Sequence, residues 1–115
     1  MKQGEIWLIN LDPTVGAEIK KTRPAIIVNN NALGKLPLKI IVPITDWKDR
    51  YETAIWMTKL KPDKENGLTK VSAADSFQVR SVSQERILKQ IGTVSETIMN
   101  EIRIGLAKVL SIESE

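Results

Sequence analysis

The chain contains no histidine and no cysteine. Without histidine it lacks the side chain that most readily exchanges protons near neutral pH, and the commonest zinc and copper ligand. Without cysteine there is no disulfide framework, no thiolate nucleophile and no thiolate metal site. Aromatic residues amount to 4%, with three Trp, one Tyr and one Phe, so each is worth following individually. No apolar run approaches the ~20 residues that cross a bilayer. No apolar signal core follows Met1-Lys2-Gln3-Gly4-Glu5, and the expected location is cytoplasmic with no membrane contact. Chemistry on this chain falls to arginine, hydroxyl and amide groups, with no metal and no cofactor expected.

What is present is a chain of 115 residues, 42% hydrophobic and 27% charged, the size and balance of one globular domain over residues 1–115. The formal net charge is +3. The positive surplus sits in the first half, where Lys20, Lys21 and Arg23 are nearly contiguous. That placement suits an anionic partner, although a solvated charged loop has the same composition.

Short apolar runs separated by turn signals predict a mainly β domain. Ile6–Leu11 reads as a strand ending at Asp12-Pro13, and residues 12–24 as a polar loop with Gly16 at its middle. Ala25–Val28 and Lys39–Val42 read as buried strands, with Asn29–Gly34 a turn between them and Pro43 ending the second. Thr53–Met57 reads as a further strand, Lys61–Gly67 as a turn, and Val71–Val82 as one or two strands. Ser83 is placed to cap a short helix over Gln84–Arg86, with a strand expected at Lys89–Gly92. Ser95 then caps the clearest helix, in which Ile98, Ile102, Leu106, Val109 and Leu110 recur at helical spacing. Gly105 costs that helix about 1 kcal/mol relative to alanine, so packing must hold it. Trp7 and Trp56 fall within strand patterns and are assigned to the core. The expected architecture is a small barrel-like sheet with the C-terminal helix packed across it.

Two polar residues stand at the ends of buried strands. Pro24 biases Arg23 towards an extended backbone, which preorganises its side chain at the mouth of a strand. Thr45 follows Val42-Pro43-Ile44. An arginine fork, a hydroxyl and nearby lysines on one sheet edge suit a phosphodiester. The plain alternatives are an Arg23 ion pair with Glu18 or Asp12, and a turn or capping hydroxyl at Thr45. Gln78 either contacts a bound ligand, supports Arg23 or satisfies backbone at a sheet edge. Lys20, Lys21, Thr22 and Arg80 are surface groups suited to phosphate positioning. Trp47 and Tyr51 flank Thr45 and either stack on splayed bases or pack within the protein.

These residues also carry a resemblance. Gly4-Glu5-Ile6-Trp7-Leu8, Leu11-Asp12-Pro13-Thr14-Val15-Gly16-Ala17-Glu18, Lys21-Thr22-Arg23-Pro24-Ala25 and Val42-Pro43-Ile44-Thr45 occur in the order found in the MazF/PemK family of bacterial toxins. Gly67-Leu68, Gln78-Val79-Arg80-Ser81-Val82 and the C-terminal helix extend the match over nearly the whole chain. The resemblance implies a small SH3-like, CcdB-like barrel and a homodimeric ribonuclease of a type II toxin–antitoxin system. Such an enzyme cuts single-stranded RNA without a metal and is blocked by a cognate antitoxin. It also implies a central catalytic role for Arg23, joined by Thr45. Arginine stays protonated and makes a poor general base, so the acceptor of the 2′-proton is left between Glu18 and water.

The chain departs from the family pattern where Gly16-Ala17-Glu18-Ile19 replaces the usual Gly-Ser-Glu-Gln, at Phe77, and over Leu36-Pro37-Leu38. Two other readings stand beside a nuclease. One is a gyrase-poisoning inhibitor of the CcdB type, disfavoured because the sequence ends Leu110-Ser111-Ile112-Glu113-Ser114-Glu115 with no terminal aromatic residue. The other is a non-cutting nucleic-acid-binding module.

Overall fold

The structure is a computed structural model that describes residues 1–33 and 35–113; Gly34 of the expected turn and the terminal Ser114 and Glu115 lie outside the described residues. Seven strands are followed by one helix: β1 (Glu5–Asn10), β2 (Thr22–Ile27), β3 (Leu38–Asp46), β4 (Met57–Leu60), β5 (Ser72–Asp75), β6 (Arg80–Ser83), β7 (Ile87–Thr93) and α1 (Glu96–Leu110). All pairings are antiparallel, in the order β4-β5-β3-β2-β1-β7, with β6 also paired to β3. The hydrogen-bonded path stays open, with β4 and β7 at its ends. The ladders therefore form an open antiparallel sheet, and no ladder closes the barrel-like sheet expected from the sequence.

The strand at Lys39–Val42 proves longer than expected, and Pro43 does not end it. β3 runs through to Asp46 and changes partner at the proline. Ile41, Val42 and Pro43 pair with Ile27, Ile26 and Ala25 of β2, while residues 44–46 pair with β5 and residues 38–41 with β6. A short 3-10 turn over Ser76–Gln78 joins β5 to β6. Pro43 has no N–H to contribute, so the break in the ladder leaves no orphan donor there.

The strand expected at Thr53–Met57 begins only at Met57. Residues 49–53 form a 3-10 turn closed by Ala54 N–H donating to the Tyr51 carbonyl. Trp56 accordingly lies on the surface, 37% exposed, in edge contact with Phe77 rather than in the core. Trp7 is half-buried and its Nε1 donates to Glu5 Oε1 at 3.0 Å. The other expectations hold more closely. Ser83 caps a 3-10 turn over Gln84–Arg86, and the Ser95 hydroxyl accepts from Ile98 N–H to start α1.

Alternation along the strands divides the core in two. Ile6, Ile26, Val42, Ile44, Leu60 and Ala74 face α1 and pack with Met99 and Ile102, each buried Ile, Leu, Val or Met side chain contributing about 1.5–3 kcal/mol. Ile9, Leu11, Ala25, Ile27, Ile41 and Val82 form the second cluster on the opposite face. Gly105 has its packing reason here: a Cβ at that position would lie 3.3 Å from Ser76 Oγ and 3.6 Å from the Ile55 carbonyl. The missing methyl lets α1 settle against the turn that carries Gln78. No helix among the described residues is long and apolar enough to cross a membrane.

Candidate active site

Strand register brings Arg23 and Thr45 together. Arg23 pairs with Ile9 of β1, a member of the cluster on the face away from α1. On its other side the β2–β3 ladder ends at Ala25 and Pro43. Continuing that register by two residues sets Arg23 opposite Thr45, with both side chains on one face. Neither Pro24 nor Pro43 has an N–H to give, so the strand ends part without stranding donors. Arg23, Pro24, Ile44 and Thr45 line the resulting cleft of about 110 Å³, and Leu68–Lys70 forms the far wall. Arg23 and Thr45 thus lie inside their strands rather than just outside them, as the sequence pattern had suggested.

The Arg23 side chain is half-buried, and its Nε donates to the Lys20 carbonyl at 3.3 Å. Among the described residues its terminal nitrogens engage no carboxylate. The ion pairs offered as the plain alternative do not form. Asp12 Oδ1 accepts from the Thr14 hydroxyl at 3.2 Å and from Lys21 N–H at 3.1 Å. Glu18 Oε1 accepts from Val15 N–H at 2.6 Å. One nitrogen of the guanidinium is thus fixed while the fork is left to meet an anion, the geometry suited to bidentate phosphate recognition.

Glu18 and Gln78 line a neighbouring open cleft of about 500 Å³ with Ala17, Pro43, Phe77 and Arg80. Gln78 ties the polar loop down from both ends of its amide. Its Oε1 accepts from Ile19 N–H at 2.6 Å and its Nε2 donates to the Ala17 carbonyl at 3.3 Å. Because the tether uses backbone groups, Ala17 and Ile19 serve it without the hydroxyl and amide of the family pattern. Arg80 is half-buried and donates to the Leu11 carbonyl at 3.1 Å, linking β6 to the end of β1. Lys20, Lys21 and Thr22 are exposed on the approach to β2. Trp47 and Tyr51 meet edge to face at 5.8 Å, with Lys59 Nζ 4.8 Å from the Trp47 ring centre.

Sequence reasoning missed Asp46 and Lys70, which line the Arg23 cleft and form an ion pair at 3.0 Å. The residue next to Thr45 was available as a signal for Asp46. Lys70 was marked only by its nearness to Gly67-Leu68. Asp75 is the other carboxylate of interest, buried at the end of β5. Burial holds its carboxyl above the usual aspartate range, against the pull of hydrogen bonds from Phe77 N–H and from the backbone and side chain of Gln78. Asp75 therefore anchors the turn that presents Gln78, and it does not line either cleft.

Comparisons with known proteins bear on the chain as a whole. The family model described as PemK-like, MazF-like toxin of type II toxin-antitoxin system matches residues 2–110. The chain is 34% identical over 113 residues to endoribonuclease PemK of Escherichia coli, covering 96% of this chain and 83% of that protein. It is 32% identical over 120 residues to endoribonuclease MazF9 of Mycobacterium tuberculosis, covering 99% of both. Among solved structures, MazF from Deinococcus radiodurans aligns with a TM-score of 0.81 at 23% identity, covering 97% of each chain. An endoribonuclease in complex with its cognate antitoxin from Mycobacterial species aligns at 0.78 and 19% identity, covering 100% of this chain and 99% of that one. At those identities the structural likeness speaks for the fold, and the match across residues 2–110 speaks for descent: the chain belongs to the PemK-like, MazF-like family of toxins of type II toxin–antitoxin systems.

Proposed function

We propose that the chain is a metal-independent, sequence-specific endoribonuclease, the toxin of a toxin–antitoxin pair, that cuts single-stranded RNA, with messenger RNA the favoured target, at the cleft between Arg23 and Thr45. The observation that carries this reading is the Arg23 fork, held at one nitrogen and open at the others, opposite a hydroxyl on the neighbouring strand. RNA supplies its own nucleophile. The 2′-oxygen attacks the adjacent phosphorus and the 5′-oxygen leaves, giving a 2′,3′-cyclic phosphate and a 5′-hydroxyl. Arg23 places two donors on the phosphoryl oxygens and stabilises the charge that builds in the phosphorane, a term often worth about 10²–10³ in rate for a single donor. Thr45 adds a hydrogen bond to the same phosphate or orients the 2′-hydroxyl. Gln78 and Glu18 hold the loop that leads to Arg23, and Lys20, Lys21 and Thr22 steer the RNA backbone. Trp47 and Tyr51 offer ring faces to unstacked bases. DNA, lacking the 2′-hydroxyl, binds and is not cut.

In this reading residues 1–115 act as one toxin domain in the cytoplasm, as a homodimer covered by an antitoxin. The strands around the second core cluster make a barrel-like half, closed by side chains rather than by a ladder. Arg80 reaching the Leu11 carbonyl and Arg86 reaching the carbonyls of Asn10 and Asp12 support that.

The test is incubation of purified protein with a long single-stranded RNA in EDTA, with end-group analysis and Arg23→Ala alongside. The expected result is discrete fragments ending in 2′,3′-cyclic phosphate, unaffected by chelation and absent with the variant. RNA left intact across a broad sequence set would reduce the chain to a binding module.

A further inference from the structure

The sheet face that carries Arg23 and Thr45 continues beyond them. Thr45 pairs with Ala73 in the β3–β5 ladder, and Ala73 pairs with Lys59 in the β4–β5 ladder. Directly paired residues share a face, so Arg23, Thr45, Ala73 and Lys59 form one row across β2, β3, β5 and β4. Trp47 N–H donates to the Val71 carbonyl at 3.2 Å, which prolongs the β3–β5 register by one residue. Alternation then puts Trp47 on the face of Thr45. The 4.8 Å from Lys59 Nζ to the Trp47 ring centre shows independently that these two side chains project together. Ala73 contributes only a methyl, so β5 raises no long side chain between Thr45 and Lys59 in that row.

Lys59 is exposed, and among the described residues it takes part in no ion pair. Its ammonium rests over the indole, a contact that is weak where water reaches it. A phosphate offers the same ammonium a charge-assisted hydrogen bond, which is stronger. Geometry decides which phosphate. Strands lie about 4.8 Å apart, so the Lys59 backbone stands about 10 Å from Thr45 and about 14 Å from Arg23. Its Nζ also leans towards Trp47, whose backbone is about 7 Å further along β3 than Thr45. Offset both across and along the sheet, Lys59 suits the phosphate next to the one at the Arg23 fork.

We propose that Lys59 and Trp47 form a second nucleotide subsite, resting on the reading of the Arg23–Thr45 cleft as an RNA-cutting site. The phosphate to be cut sits at Arg23 and Thr45, and the adjacent phosphate takes the Lys59 ammonium. Drawn to that phosphate, Nζ leaves the indole, and the ring face it uncovers stacks the base of the same nucleotide. The RNA therefore crosses the sheet from β2 towards β4. Both groups bind, and neither reacts.

The experiment uses the full chain and an RNA oligonucleotide with the mapped cut site, carrying a 2′-deoxy sugar at the cut so that binding is read without cleavage. Each phosphate in turn is replaced by an uncharged methylphosphonate. The parent should lose affinity at the cut phosphate and at one of its two neighbours. Lys59→Met should bind the unmodified oligonucleotide about three- to tenfold more weakly. Its log–log salt slope should shrink by about 0.7, the share of one phosphate on a single strand. It should be indifferent to the methylphosphonate at that neighbour and still lose affinity at the cut phosphate. Removing the base of the same nucleotide should cost the parent about 5- to 100-fold and cost Trp47→Leu nothing further. On cleavable RNA both variants should raise KM with little change in kcat. Lys64→Met removes an equal charge from the 61–67 turn and should leave the phosphate scan as in the parent. A parent scan with no sensitive neighbour overturns the subsite without recourse to any variant, and so does a Lys59→Met scan identical to the parent's. Base removal that costs Trp47→Leu as much as the parent strikes Trp47 from it. A parent that binds RNA and cuts none overturns the nuclease reading alone, and the same scan then decides the subsite. A parent that binds no RNA overturns both.

Discussion

Two segments deliver the polar groups of the cleft, and they are built in opposite ways. Residues 12–21, which lead to Arg23, are largely exposed. Short-range contacts through Asp12 and Glu18 shape this loop, and its long-range side-chain tethers are the Gln78 amide over residues 17–19 and Arg86 at the Asp12 carbonyl. Residues 61–67, which lead to Lys70, are wrapped around a buried side chain. Asn66 Oδ1 accepts from Asp63 N–H and Leu68 N–H, its Nδ2 donates to the Lys61 carbonyl, and Asp63 Oδ1 caps Glu65 and Asn66. Gly67 then closes against β7 at φ +67°, where a Cβ would sit 2.1 Å from the Ile91 carbonyl oxygen. One wall of the cleft is locked by its own turn, and the other is held by residues from distant elements. In the proposed reading the locked wall stays fixed, while the tethered wall that carries Arg23 varies with the RNA it meets.

The largest effect expected from this asymmetry falls at Arg23. Arg23→Lys keeps a charge but loses the planar fork, and should cost about 10²–10³ in cleavage rate while leaving the melting temperature unchanged. Cutting at the parent rate would show that a point charge suffices, and the open fork would lose its meaning. Next comes Gly67→Ala, which combines a left-handed backbone with a collision against backbone atoms. Strain of this kind costs about 1–3 kcal/mol per outlier, and the displaced turn should carry Lys70 away from Asp46. A melting temperature equal to the parent's would mean that the wall at 61–67 is not locked.

How much of this was legible in the sequence follows the same division. That Arg23 and Thr45 stand at one edge of the sheet was legible, because Pro24 fixes the local backbone and Thr45 ends a buried apolar run; both signals are local. The turn at Lys61–Gly67 announced itself through Pro, Asp, Asn and Gly in succession. The Asp46–Lys70 contact was invisible, because the register of β3 against β5 creates it and no local pattern encodes that register. Pro43 misled for a related reason. It reads as a strand end, yet it sits where a long strand exchanges one neighbour for another, where a missing N–H costs nothing. Trp56 misled because Thr53–Met57 has strand composition, while the preceding 3-10 turn delays the strand to Met57. The barrel-like sheet was read from a count of strands, which says nothing of whether the two edge strands pair.

A smaller effect tests the tethered wall directly. Gln78→Ala removes both contacts to residues 17–19 and leaves the cores untouched. Cleavage should fall by about tenfold through a higher KM, a change of about 1.4 kcal/mol, with little change in melting temperature. An unchanged KM would mean that the short-range contacts of Asp12 and Glu18, with Arg86, hold the loop without it, and the contrast between the two walls would shrink.

The smallest effect concerns the anchor behind that tether. Asp75 caps the turn bearing Gln78, and burial raises its carboxyl above the ordinary aspartate range despite the opposing hydrogen bonds. A carboxyl raised in the folded state stabilises the fold at acid pH, below its unfolded value, and that contribution is lost as pH rises through the folded value. Asp75→Asn keeps an oxygen to accept from Phe77 N–H and never charges. Relative to the parent, its melting temperature should therefore improve from acid to neutral pH, by a small margin, with Gln78 still holding the loop. A variant that instead loses ground towards neutral pH would show that the charge strengthens the Phe77 and Gln78 hydrogen bonds by more than its burial costs. The tether on Arg23's side of the cleft would then be electrostatically anchored, and the loop would loosen on acidification rather than hold.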